Sequence, residues 1–430
     1  MGEQAILAII VVSCLLQLGI FIAFSIVEKT AVNVLVYSFL VGLPINFILP
    51  FFRIQLLGPS GSTFGYLVAF FTLNLMTACL IAGYWMSRKV EVRLFPAYAK
   101  RCPPIIVACF FVVSILLYLP ILRESSISLA NPADWLLQAR ETYKSTRQGY
   151  GLFVFGSELL LLSGVVLALF STSLRRQIVV CAFACCLCLL FGSKRNVVVI
   201  LCLLLLHSVY ISGHRISFSR FLPIATVAVT LLLAFFYFAS FGQAARSRDG
   251  RSQARALFER VVNYSDLTDN VVMVIDHCNS VPIAGGRIAW EQWFWGRIPR
   301  KLYPAKPEVF GVRRIASEFF PEEVSEEYFS PNFGIGIEFR DWGMLAVPLL
   351  AMFSFAKGAF LRVVVTSCSS HSDIGSFVVL AFLCGVPVLG IGGVNGLLLE
   401  NYLIGLSLGL GALACTRLRY GKTKGRESRD

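Results

Sequence analysis

Long uncharged apolar stretches recur along the chain between Ala5 and Cys415. They are continuous, and most approach the roughly 18 residues a membrane-crossing helix needs. The pattern predicts eleven spans, at 5–27, 31–51, 65–86, 103–122, 151–172, 177–192, 196–212, 221–241, 343–357, 376–394 and 397–415. A further apolar run at 360–366 reads as a candidate re-entrant segment. Strands of an outer-membrane barrel alternate apolar and polar positions, so that architecture is excluded. The expected fold is an all-α polytopic membrane protein with about 11 (10 to 12) transmembrane helices. Six regions follow: N-terminal helices 1–122, a first loop 123–150, four central helices 151–241, a large loop 242–342, C-terminal helices 343–415 and a basic tail 416–430. The first span has no basic segment before it and no small-residue cleavage site, so it is expected to stay in place.

Composition sharpens the class. Of 430 residues, 57% are apolar and only 15% are charged, against about 45–50% and 25% in soluble domains. A soluble enzyme, a secreted disulfide scaffold and a disordered chain are all excluded. Most of the 13 cysteines lie inside apolar runs, where they act as small hydrophobes. No His and Cys spacing suggests zinc.

The net charge of +13 sits in loops, so it speaks of membrane orientation and not of nucleic acid. The basic clusters at 87–102, 175–176, 214–220 and in the tail all fit the cytoplasm. That arrangement puts the N-terminus and both long loops outside. Lys194 and Arg195 break the rule by facing outward. Within the large loop, helical spacing appears at 252–263 and again at 266–276.

Four stretches carry candidate chemistry. The turn LFGSKRNVVV holds Lys194 and Arg195 where a cation costs about 2.5–3.5 kcal/mol on insertion scales, so such residues pair or line a polar cavity. They suit a lipid-linked pyrophosphate, or else they snorkel to lipid phosphates. The segment IPRKLYPAKPEVFG, with Arg297 just before it, clusters Arg297, Arg300, Lys301 and Lys306 on a proline-stiffened backbone. It suits pre-organised phosphate binding, or contact with anionic headgroups. The first-loop stretch DWLLQARETYKSTRQGYG mixes Arg140, Lys144 and Arg147 with Trp135, Tyr143 and Tyr150. It reads either as a sugar-phosphate surface or as an interfacial helix with aromatic anchors. The fourth, NFGIGIEFRDWG, places Glu338 among apolar residues just before a span, with Arg340 and Asp341 beside it. Desolvation raises a carboxyl's pKa and can poise it as a base; a structural ion pair is the alternative. His277, the one histidine of the four placed on the extracytoplasmic side, is a second candidate base.

Together these stretches resemble the Wzy-type O-antigen polymerases, the oligosaccharide repeat-unit polymerases. Arg140 with Gly151 and Arg300 with Gly311 fit that family's Arg-x10-Gly pattern, one in each large loop. FGSKRN resembles its Gly-Ser-(Lys/Arg)-Arg turn, and RIPRKLYPAKP resembles its Ile-Pro-Arg…Pro-x-Lys-Pro segment. GIEFRDWG resembles its Gly-Glu-x-Tyr-x-(Asn/Asp)-Phe-Gly segment, with Phe339 directly after Glu338 and Trp342 in place of the usual Phe.

The resemblance implies two periplasmic loops and an architecture like the GT-C lipid-linked glycosyltransferases, in the bacterial inner membrane. It implies polymerisation of undecaprenyl-pyrophosphate-linked oligosaccharide units, with the acceptor hydroxyl attacking the donor's anomeric carbon. Arg140, Arg195 and Arg300 are then expected to hold the leaving pyrophosphate. Arg147, Lys194, Arg297, Lys301, Lys306 and Arg340 are expected to bind substrate beside them. Glu338 is the first choice of base and His277 the second. No cofactor is expected, and the partners are the lipid-linked substrate, membrane lipids and a separate chain-length regulator. Two rival readings are an O-antigen ligase, which hands glycan to lipid A core, and a transporter of the lipid-linked unit.

Overall fold

The computed structural model describes residues 2–36, 38–90, 104–124, 153–154, 156–170, 174–191, 194–223, 226, 267–278, 280–295, 298, 303–324, 331–371 and 374–385. Regular structure among them is entirely helical. α1 (Gly2–Glu28) is followed by two π-helical stretches, Ser38–Gly42 and Pro44–Ile48, which run into α2 (Leu49–Leu57). α3 (Thr63–Met86), α4 (Pro104–Glu124), α5 (Gly156–Phe170), α6 (Leu174–Leu190) and α7 (Lys194–Tyr210) come next. Four short helices then precede the last pair: α8 (Leu267–Cys278), α9 (Arg287–Trp295), α10 (Val312–Phe319) and α11 (Pro321–Val324). α12 (Gly336–Trp342) leads into α13 (Ala346–His371), and α14 (Ile374–Gly385) follows. Five stretches are long and apolar enough to cross a membrane: Gly2–Glu28, Ser38–Leu57, Thr63–Lys89, Pro104–Arg123 and Gly336–Ser369. The chain is accordingly a multi-pass membrane protein.

Two expectations are corrected. The second span does not start at 31, because residues after α1 turn inward to bury their apolar side chains in protein. Asn33 Nδ2 donates to Ser25 Oγ at 2.8 Å, and Leu35 N donates to Asn33 Oδ1 at 2.9 Å. Ala31, Val32, Val34, Leu35 and Val36 are buried around that turn. The helical run therefore lies at Ser38–Leu57, later than expected. The run at 360–366 is not re-entrant either: it is the middle of the unbroken α13. The helical spacing at 252–263, most of the eighth span, the later part of the tenth and all of the eleventh lie outside the described residues.

α13 packs along α3 at unusually short range. A methyl group on Gly358 would lie 1.8 Å from the Leu80 carbonyl oxygen, and one on Gly83 would lie 2.0 Å from that of Phe355. Only hydrogen at both positions lets the backbones meet, the device membrane helices use where lipid supplies no hydrophobic drive. Below this crossing, Arg362 donates to the Tyr84 hydroxyl at 3.2 Å and lies 3.8 Å from Glu28. The charge thus finds partners on α1 and α3.

The helix ends sort onto two sides. Ala31 N donates to the Ile216 carbonyl at 2.9 Å, joining the turn after α1 to the segment after α7. The C-terminal ends of α1 and α7 therefore share one side. Arg88 comes to 3.8 Å from Glu28 there, so α3 ends on that side as well. The N-termini of α1, α3 and α7 occupy the other side. There Tyr118, near the end of α4, donates to the Phe191 carbonyl at 3.1 Å, beside the turn between α6 and α7. The chain leaves α4 toward the first loop on the same side as the Lys194–Arg195 turn.

Candidate functional site

On that second side the four short helices α8 to α11 and α12 fold down onto the span ends. Ile6 and Ile10 of α1, Tyr66, Phe70 and Leu73 of α3, Val271, Val272, Val274 and Ile275 of α8 and Phe339 of α12 form one buried cluster. The helix expected at 266–276 is α8, and two carboxylates seven residues apart fasten it. Asp269 pairs with Arg53 and accepts from the Tyr66 hydroxyl at 2.9 Å. Asp276 accepts from Ser62 N at 2.6 Å and from the Ser62 hydroxyl. Ser62 is the N-cap of α3, accepting from Gly65 N at 2.9 Å. Sequence reasoning overlooked this latch. Its signals were an arginine at the edge of an apolar run and two acids at heptad spacing on one helical face.

A second knot involves Glu291 on α9. Its carboxylate accepts from Arg287 Nε at 2.7 Å, from Arg314 Nη2 at 2.9 Å and Nε at 3.1 Å, and from Gly311 N at 3.1 Å. Burial alone would raise this carboxyl's pKa, but Arg314, the Gly311 amide and Arg287 outweigh it and hold Glu291 below the usual carboxylate range. Gly311 sits at φ 55°, and a Cβ there would lie 2.4 Å from the Gln292 amide oxygen and 2.8 Å from Gln292 Cα. The glycine of the second Arg-x10-Gly pattern thus has a structural reason: glycine alone fits this conformation and this contact.

The segment ending at Gly311 folds on itself. Lys306 Nζ donates to the Ile298 carbonyl at 2.9 Å and sits 4.5 Å over the Phe310 ring. Trp295 stacks on Tyr303 at 5.7 Å. Lys306, expected to bind substrate, therefore makes contacts inside its own loop.

α12 carries the carboxylates read from the sequence. Asp341 accepts from Ile288 N at 2.8 Å and Ala289 N at 2.9 Å, capping the first turn of α9. Arg340 is held bidentately by Glu318 of α10, at 2.8 and 2.9 Å, and donates to the Pro282 carbonyl at 3.0 Å. His277, at the end of α8, sets its ring edgewise on Phe319 at 4.9 Å. His277 and Arg340 thus meet neighbouring residues of α10. Glu338 is different from its neighbours. Its Oε2 is buried and has no hydrogen-bond partner among the described residues. A buried acceptor left unmet is costly and is usually explained by function or by an absent ligand.

Lys194 and Arg195 open α7 on the same side as this assembly; only their backbone is described. Arg140, Arg147, Arg297, Arg300 and Lys301 lie outside the described residues. Two small apolar pockets that share Leu73 extend from Gln17, mid-way along α1, to Ile335 just before α12.

The chain is similar to O-antigen polymerases of Salmonella typhimurium (strain LT2) and Salmonella typhi. Each is 24% identical over 367 residues, covering 84% of this chain and 85% of the relative. That match supports the Wzy-type resemblance across nearly the whole chain, beyond the short motifs that suggested it. No family model and no solved structure matches.

Proposed function

We propose that this membrane chain, similar over most of its length to Wzy-type O-antigen polymerases, joins lipid-linked oligosaccharide repeat units into O-antigen. The near full-length match to two such polymerases carries the reading. The donor is a glycan on undecaprenyl pyrophosphate, and the acceptor is one unit on the same carrier. An acceptor hydroxyl forms a new bond to the donor's anomeric carbon while the bond to pyrophosphate breaks. The proton leaves the hydroxyl for Glu338, and the electron pair leaves with undecaprenyl pyrophosphate.

The geometry supports this assignment at several points. Glu338 keeps one oxygen unengaged where an acceptor proton must go. Helix α12, which holds it, ends next to the start of span α13, at one end of a stretch long and apolar enough to cross a membrane. Arg140, Arg195 and Arg300 neutralise the departing pyrophosphate, since charge develops there in the transition state. With the basic ends at Arg88–Lys89, Arg175–Arg176 and 214–220 in the cytoplasm, the face bearing Glu338 is periplasmic. Arg340 and Lys306 are already engaged by protein groups and serve to hold the loop. His277 is the alternative base.

The test is purified protein in lipid nanodiscs with a lipid-linked repeat unit. The reading expects multi-unit products on the carrier, growing at the reducing end, and none with Arg300→Ala. Long products from the Arg300→Ala protein would remove that residue from the mechanism, and no elongation by the wild type would remove the reading.

A further inference from the structure

The short helix α9 has two unlike faces. Ile288 and Glu291 point into the loop assembly and are buried. Trp290 and Phe294 lie on the opposite face, 62% and 42% exposed, with stacked rings 6.3 Å apart. Counting back one turn from Trp290 reaches Gly286, against which the Trp342 ring packs. Ile283 touches Gly343, and Met344 and Leu345 follow, both exposed. A stripe of exposed apolar surface therefore continues from Met344 and Leu345, just ahead of α13, past Ile283 and Trp342 to α9.

We propose that this stripe rests in the outer-leaflet interface of the bilayer, so that α9 is a membrane-seated helix and not a solvent-facing one. Tryptophan and phenylalanine in that position match the aromatic belt of membrane proteins, whose rings settle at headgroup level. Continuity with α13 decides the occupant. The exposed Met344, Leu345, Met352 and Phe353 lie on the stretch Gly336–Ser369, which is long and apolar enough to cross a membrane. The cationic head of Arg287, with a side chain 63% exposed, is placed to reach lipid phosphates beside the stripe. The seated helix would hold the segment between α9 and α10 against the membrane, where a lipid-borne substrate travels. The proposal rests on α13 being a membrane span and not on the polymerase chemistry, so either can fail while the other stands.

Tryptophan fluorescence in nanodiscs of phosphatidylcholine brominated on its acyl chains tests it. Wild-type protein is compared with Trp290→Phe, and with Phe294→Trp added to that variant. The proposal expects a smaller fraction of the fluorescence to be quenched in Trp290→Phe, and quenching restored when Phe294→Trp is added. Equal fractional quenching in the three proteins overturns it. Acrylamide separates the alternatives. Ready quenching of Trp290 by acrylamide means water covers the stripe. Protection from both quenchers means a second protein chain covers it. Either result overturns the proposal.

Discussion

Replacing Glu291 by alanine removes the acceptor of four hydrogen bonds at once. The partners do not count equally. Arg287 is mostly exposed, so its loss contributes little. Arg314 is only 32% exposed at the side chain and grips a carboxylate that is 11% exposed, in bidentate geometry. Breaking such a pair while stranding the cation costs about 3 kcal/mol, toward the low end for buried pairs because Arg314 still reaches water. The Gly311 amide loses its acceptor as well. At about 1.4 kcal/mol per tenfold, the population in which α10 is detached from α9 should rise roughly 100-fold. Hydrogen–deuterium exchange followed by mass spectrometry reads this directly. Peptides covering 311–320 should exchange about 100-fold faster, while peptides of α8, held separately by Asp269 and Asp276, should not change. Unchanged exchange at 311–320 would show that the Glu291 knot does not fasten this loop.

Acid should act on the same knot. Glu291 is held below the ordinary carboxylate value, so its stabilisation is complete above that value and fades as pH falls through the lower, folded one; cleavage within 311–320 by an aspartic protease that stays active in acid should be low at mildly acidic pH and rise as the pH falls further. Gly358→Leu places a side chain where even a methyl group meets the Leu80 carbonyl at 1.8 Å; the protein should fail to accumulate in membranes, as judged by immunoblot, whereas an exposed change such as Met352→Leu should leave its amount unaltered. Glu338→Gln keeps the shape but cannot take a proton, and general-base contributions run to about 10²–10⁴-fold; long-chain polysaccharide should vanish from gels at normal protein level, and an intact ladder would exclude Glu338 as the base.

Much of the scaffold was legible in the sequence because uninterrupted apolar runs have few alternatives in a membrane. α1, α3 and α4 fall within three residues of their predicted ends. The second span was misplaced because hydropathy cannot separate a residue buried in protein from one facing lipid; Val32 and Val36 are fully buried beside the Asn33 turn. The run at 360–366 was read as re-entrant because hydropathy does not show that it continues one unbroken helix with the residues before it. Tyr84 and Glu28, distant in sequence, accommodate Arg362. The site divides the same way. Glu338 stood out because an acid among apolar neighbours is locally visible. The roles of Arg340 and Asp341 were not, since their partners Glu318, Ile288 and Ala289 lie 22 or more residues away. Gly311 was picked out by spacing, and its physical reason, the approach of Gln292, required the fold.

The most direct test of polymerisation is the lipopolysaccharide profile of a strain from which this chain has been deleted, displayed by gel electrophoresis. The account predicts lipid A core bearing a single repeat unit and no ladder, restored to a ladder when the chain is supplied again. Bare core with lipid-linked polymer accumulating in the membrane would contradict it and point to ligation instead.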